Sequence, residues 1–269
     1  MKNSLIIFCA ILAAFSVISC GSMNLGHTTA GQEELTVSKA VDSDYQLISI
    51  INTLDIPDLF YSVDARFITK ISREKLHRAK SVMDILPRKA TQPIEAWQSV
   101  RVSVLQDNEE TDESESGQSE ELTPAQLSLL QSTEYGSNFY IKAEYKSKNS
   151  VTGILQEDYL TYYISVVPET EAEYTAGPDA LIEYLKENSR EERTFISKDE
   201  LKPGQLSFTI NQNGNIANVQ LNSSSGYASL DQKMMHLINN LPGSWKPATD
   251  AKGTTVEQEL VFFFGLQGC

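Results

Sequence analysis

The chain has 269 residues, 41% of them hydrophobic, and 36 acidic against 22 basic side chains for a net charge of −14. A balance this acidic leaves no electrostatic footprint for nucleic acid. The length suits two domains, and three cysteines (Cys9, Cys20 and Cys269) supply no disulfide framework.

The first residues read as a processing segment rather than as structure. Lys2 supplies the positive start, residues 5–18 form an apolar run, and V-I-S-C ends it with a small residue before Cys20. The run is shorter than the ~20 apolar residues that cross a bilayer, which disfavours an uncleaved membrane helix. This pattern resembles a bacterial lipobox. The resemblance implies a lipoprotein signal peptide over 1–19, removed to leave Cys20 as an acylated (palmitate-type) anchor, stable because several chains attach to one residue. Residues 20–36, which after Cys20 read G-S-M-N-L-G-H-T-T-A-G-Q, are expected to be a flexible tether.

Residues 37–167 are expected to form an N-terminal α+β domain, and no family is recognised there. D-Y-Q-L-I-S-I-I-N-T-L reads as a short helix, and residues 59–67 alternate like a strand. I-S-R-E-K-L-H-R-A-K-S-V-M-D-I-L-P reads as one helix with Ser72 as N-cap and Pro87 beyond its end. Further strands are expected over 97–105, 138–145 and 159–167. The aromatics Tyr159, Tyr162 and Tyr163 read as a sheet face rather than as a ligand platform. Within this domain, residues 107–121 hold acidic residues and no apolar one, D-N-E-E-T-D-E-S-E-S-G-Q-S-E-E. Such a run cannot bury enough surface to offset its ordering entropy, so it is expected to be a disordered loop. Its irregular carboxylate spacing and late Gly117 do not fit a calcium loop.

The last third is the most informative. Q-L-S-F-T-I-N-Q-N-G-N-I-A-N-V-Q-L reads as a hairpin, with Leu206, Phe208 and Ile210 on one face of the first strand and Ala217, Val219 and Leu221 on one face of the second. Asn213-Gly214 supplies the tight turn. Leu230, Met234, Leu237, Ile238 and Leu241 then recur at helical spacing until Pro242-Gly243, and a third strand closes the unit. The order is strand, strand, helix, strand.

No catalytic or metal-binding constellation emerges. His27, His77 and His236 each lack a second ligand at metal spacing. Residues 223–226, S-S-S-G, are not the G-x-S-x-G of a nucleophile elbow, and Asn211 to Gly214 lacks the strand–turn–helix context of a phosphate cradle. No cofactor and no small-molecule substrate is expected, and the chain is not read as an enzyme.

The wording of the last third, from G-Q-L-S-F-T-I through S-S-S-G, S-L-D and W-K-P-A to the closing apolar strand, resembles the TonB C-terminal domain. Upstream, A-G-P-D-A-L-I-E-Y-L-K-E-N is similar to the helix that precedes this fold in TonB-like envelope proteins. The Tyr-Pro that usually follows that helix is absent; the chain reads S-R-E-E-R-T-F-I-S-K-D-E-L instead. The expected fold is therefore α+β, with a TonB-like three-stranded sheet over 168–269 beside the N-terminal domain. The family's energy transducers have an inner-membrane helix and a long Pro-rich spacer. Here Cys20 to Leu35 reaches at most ~50 Å at ~3.3 Å per residue, so a transducer role is not expected.

In that family the last strand lies at a sheet edge and takes up an extended peptide of an outer-membrane transporter. The resemblance puts that role here on residues 255–264. Val256, Gln258, Leu260, Phe262 and Phe264 would share one face, and Thr255, Glu257, Glu259, Val261 and Phe263 the other. The expected function is a lipid-anchored envelope protein, in the outer membrane facing the periplasm, that binds a peptide of another envelope protein by strand addition. The alternative is a structural or accessory lipoprotein whose edge is capped by its own first domain.

Overall fold

The computed structural model describes residues 56–87, 94–106 and 109–267, all within one compact unit, Leu54–Cys269. The expected leader, Cys20, the tether, the helix over 44–54 and Cys269 lie outside the described residues.

The first described strand, β1 (Phe60–Asp64), leads to β2 (Thr69–Ser72) and two short helices, α1 (Arg73–Arg78) and α2 (Val82–Ile85). The spacing predicts one helix here. The structure breaks it because Asp84 offers the backbone a better partner at Lys80 and Ser81. Its carboxylate accepts from both amides, at 2.9 and 3.0 Å, while its own amide donates to Ser81 Oγ at 3.3 Å. That capping box restarts the helix at Val82. The freed segment pairs with the chain near Glu121, through Val82 N to Glu120 O and Leu122 N to Lys80 O. Ser72 is the N-cap of α1, as expected.

Strands β3 (Ile94–Gln106) and β4 (Glu109–Gly117), helix α3 (Pro124–Gln131), and strands β5 (Asn138–Lys148) and β6 (Leu155–Val167) complete a five-stranded sheet of order β2-β6-β5-β3-β4. Only the β2–β6 pair is parallel. Val100, Val102, Phe139, Ile141, Ala143, Leu160 and Ile164 turn one face toward Leu76, Val82, Ile85 and Leu130 of the helices, forming one core. The acidic run is thus not the expected disordered loop. From Glu109 to Gly117 it is an edge strand paired to β3. The backbone gains a ladder and the carboxylates stay in water, a common way to keep an edge strand from aggregating.

The second core belongs to the C-terminal part. It contains β7 (Glu173–Tyr174), α4 (Pro178–Asn188), α5 (Arg190–Arg193), β8 (Pro203–Ile210), β9 (Ile216–Ser223) and α6 (Ala228–Asn239). The short strands β10 (Trp245–Lys246), β11 (Ala248–Thr249) and β12 (Thr255–Val256) lead to β13 (Gln258–Gly265). The principal sheet has the order β1-β13-β8-β9 and is antiparallel throughout. It has four strands rather than the three expected, because β1, from the predicted first domain, joins it. The expected boundary at 167/168 therefore does not separate the two sheets.

Leu206, Phe208 and Ile210 are fully buried against Leu230, Met234, Leu237 and Ile238 of α6, as the spacing predicts. The hairpin loop is longer than two residues. Asn211 Oδ1 accepts from the amides of Asn213 and Asn215, and Ile210 pairs with Ile216. In β9 a register shift at the positive-φ residue Asn218 (φ 54°) splits the expected face. Ala217 stands opposite Thr209, whereas Leu221 stands opposite the core residue Leu206.

Candidate functional site

The sequence points to residues 255–264 as a free docking edge. In the structure Thr255 and Val256 pair with β11, and Glu257 separates them from β13. From Gln258 to Gly265, β13 pairs with β8 on one side. On its other side Val261, Phe262, Phe263, Phe264 and Gly265 pair with Asp64, Val63, Ser62, Tyr61 and Phe60 of β1. The expected free edge is thus filled at Val261, Phe262, Phe263 and Phe264, and β1 occupies the place of an added strand there. Gln258, Glu259 and Leu260 lie beyond the end of β1.

The side chains explain why β1 settles there. Tyr61 is buried and stacks on Phe262, with ring centroids 5.9 Å apart, and Phe262 stacks on Phe264 at 5.3 Å. Burying these rings favours the pairing by apolar area as well as by ring contact. The Tyr61 hydroxyl and Ser189 Oγ are 3.1 Å apart, and Ser189 Oγ donates to Leu185 O at the end of α4. Burial pushes the Tyr61 pKa above its ordinary 10.0, partly countered by the Ser189 hydrogen bond. Just before β1, the buried Arg193 donates to Pro57 O at 3.1 Å and to Lys186 O at 2.8 Å. Lys186 also pairs with Asp58 at 3.2 Å. Ser189 and Arg193, in the segment that stands where the resemblance leads one to expect Tyr-Pro, thus help to hold the capping strand, together with Lys186. The only sequence signals for this were Tyr61 and Val63 alternating within an apolar strand, and the departure itself.

A polar latch closes the far end. Lys70 Nζ lies 2.8 Å from Asp64 and 2.7 Å from Glu171. The Gln258 amide donates to Glu171 at 3.0 Å and accepts from Ala172 N at 2.6 Å. Burial works against the Lys70 charge, but the hydrogen bonds and charges of Asp64 and Glu171 outweigh it and raise the pKa. The pairs are partly solvated, so each contributes at most about 1 kcal/mol. The Gln258 side chain is 2% exposed, and so is committed to this latch rather than presented to solvent.

The opposite face of β13 is covered only at its middle: Glu259 is exposed and Phe263 half-buried, with Val261 buried between them. Val261 is 1% exposed and its β8 partner Ser207 6%. A Cβ placed on Gly136 would stand 3.7 Å from Glu259. On the helix face, Gly204 leaves room for the Phe264 ring, which a Cβ there would meet at 2.7 Å.

Other residues considered for chemistry have structural partners. Ser224 Oγ and Ser225 Oγ donate to the buried Asp231 at 2.5 and 2.6 Å, and Ser225 N donates to it at 2.9 Å. The carboxylate thus fixes the turn between β9 and α6. His236 lies beside Asn240, and His77 is on α1. Trp245 packs against Tyr174 and Phe208 at 5.4 and 5.9 Å, and the Tyr174 hydroxyl donates to Pro242 O. Among the described residues no group of three or more His, Cys, Asp or Glu could hold a metal ion. Among the same residues no helix is long and apolar enough to cross a membrane.

No curated protein and no solved structure matches the chain. Residues 204–266, from the start of β8 to just beyond β13, match the family described as Gram-negative bacterial TonB protein C-terminal. The chain therefore ends in a TonB-like domain, of a non-enzymatic, protein-interaction family of the bacterial envelope.

Proposed function

We propose that this protein is an envelope lipoprotein, anchored through Cys20, whose TonB-like domain is completed by its own strand β1 and serves a structural or accessory role. The observation that supports this reading is the pairing of β1 with Val261–Gly265 on the side of β13 away from β8. A transporter peptide adding there would have to displace a strand secured by Tyr61, Arg193 and Lys70. The family match favours a second reading, in which a partner peptide displaces β1 and takes its register.

Photo-crosslinking in intact envelopes separates the two. With benzoylphenylalanine at Phe263, the capped reading expects a crosslink within the chain, to β1, and no adduct with a second protein. An adduct with an outer-membrane protein that replaces the internal crosslink would establish displacement instead. For the anchor, Cys20→Ala should abolish fatty-acid labelling; labelling that persists in the variant would overturn the lipoprotein assignment.

A further inference from the structure

The outer strands of the two larger sheets are not equally protected. β4 carries a row of carboxylates, β9 is distorted at Asn218, and β2 carries Lys70. Such charges and bulges keep an edge from pairing with another chain. β1, F-Y-S-V-D, has no charge before Asp64, no proline and no bulge against β13. Among the described residues, β13 and α4 are the elements packed closely against it. Beside it lies an open cleft of about 560 Å³, lined by Phe60, Ser62 and Asp64 and by Thr161, Tyr162 and Tyr163 of β6.

The direction of the β1 backbone groups follows from the sheet. Asn211 N donates to Asn215 O at 2.9 Å, which turns the Asn211 amide toward β9. Successive residues of a strand point these groups to opposite sides. Ile210, Phe208, Leu206 and Gly204 therefore turn theirs toward β13. The bond from Leu266 N to Lys202 O, 3.2 Å at the other end of the pair, has the same parity. β8 and β13 pair residue for residue from Ile210↔Gln258 to Pro203↔Gly265, with no bulge between. Gln258, Leu260, Phe262 and Phe264 thus bond to β8, and Val261, Phe263 and Gly265 to β1. The partners of these last three, Asp64, Ser62 and Phe60, direct their groups inward. The N–H and C=O groups of Tyr61 and Val63 are left pointing outward, with no partner among the described residues.

Two such residues, one on each side of Ser62, form a self-complementary set. In an antiparallel pair with a two-fold axis at Ser62, Tyr61 of each copy faces Val63 of the other. Both residues then exchange N–H···O bonds, and every outward group of Tyr61 and Val63 is used. The same register sets Phe60 against Asp64 and opposes no like charges within the strand. Continued by two residues, it brings Asp58 opposite Arg66, charges of opposite sign. The symmetry of the outward set and this charge match favour a second copy over an unrelated strand. An isologous contact of this kind closes as a dimer instead of growing into a fibre.

We propose that β1 pairs with β1 of a second copy, joining the two C-terminal sheets into one continuous sheet across a two-fold axis at Ser62. The proposal rests on β1 being seated on β13, as the capped reading does, and goes beyond that reading in naming a partner for the outer edge.

Disulfide trapping in intact envelopes tests the pairing and its register. Across an antiparallel pair, partners that do not exchange hydrogen bonds have Cα atoms about 4.5 Å apart, within the ~4.4–6.8 Å that a disulfide spans. In a Cys269→Ser background, Ser62→Cys should give an oxidised band of twice the chain mass, absent from the background chain, which retains Cys20. Phe60→Cys and Asp64→Cys should each fail alone and give the band when expressed together. Val63→Pro removes an outward N–H, so it should keep the fold by circular dichroism and abolish the Ser62→Cys band. Ser62→Cys with no band above background, while benzoylphenylalanine at Phe263 still crosslinks to β1, would overturn the dimer and leave the capped reading standing. A folded Val63→Pro chain that still forms the band, or a Ser62→Cys adduct of any other mass, would overturn it as well; the second would assign the edge to a foreign chain.

Discussion

Replacing Tyr61 by Phe removes the hydroxyl that meets Ser189 and keeps the ring stacked on Phe262. One buried hydrogen bond is worth about 1 kcal/mol, and that is the expected loss, read from the urea midpoint. Tyr61→Ala also removes the ring, and should cost roughly 3 kcal/mol or more, as truncation of a buried aromatic does. The hydroxyl also sets a pH dependence. Burial raises the Tyr61 pKa above 10.0 in the folded state, so its proton is held more tightly there than in the unfolded chain. Its stabilising contribution is complete below pH 10.0 and is lost as pH rises through the folded-state value. Urea midpoints measured from neutral pH upward should therefore fall more steeply for the native chain than for Tyr61→Phe. Parallel alkaline profiles would show that Tyr61 is not buried as described. Trp245→Ala, which removes the contacts with Tyr174 and Phe208, should cost about 3–5 kcal/mol and unfold the C-terminal core. Unchanged stability with a solvent-exposed emission spectrum in the native chain would contradict that packing.

At the scale of elements, β4 and β13 gain the most from the structure. Read as a loop, residues 107–121 would be dispensable at a cost of under ~1 kcal/mol, since loop closure varies slowly with length. As the strand β4 they shield β3, so excising Glu109–Gly117 should lower the melting transition and expose a new edge that promotes association. Thermal melting with light scattering checks both parts; an unchanged melting curve would restore the loop reading. The error has a physical cause. Side-chain composition governs burial, but a sheet edge asks only for backbone pairing and is compatible with a row of carboxylates. The opposite case is the hairpin and helix at 206–241, where the apolar core residues Leu206, Phe208, Ile210, Leu230, Met234, Leu237 and Ile238 were legible because burial there imposes the periodicity, whereas the buried Asp231 was not. The cap was not legible, because β1 and β13 are separated by almost the whole described chain and pair through backbone groups that carry no sequence signature. For the same reason proline scanning should give a uniform result over the capped stretch. Adjacent residues direct their N–H groups to opposite sides, so Phe262→Pro and Phe263→Pro should both unfold the domain, as seen by circular dichroism. If one of the two folds normally, one side of β13 is open.

For the whole molecule, β1 ties two sheets into one unit. It pairs in the C-terminal sheet, and after four linking residues, Ala65 to Ile68, the chain enters β2 at the edge of the five-stranded sheet. The Lys70 latch spans the same junction, joining β1, β2 and the chain ahead of α4 to β13 through Glu171 and Gln258. The central claim is that β13 is an interior strand, and residue-resolved amide hydrogen exchange over Val261, Phe262, Phe263 and Phe264 tests it most directly. With β1 on one side and β8 on the other, all four amides should be protected to a similar degree. Alternation along the strand, with every second amide exchanging as fast as an unpaired one, would mean that the edge is free and that the capped account is wrong.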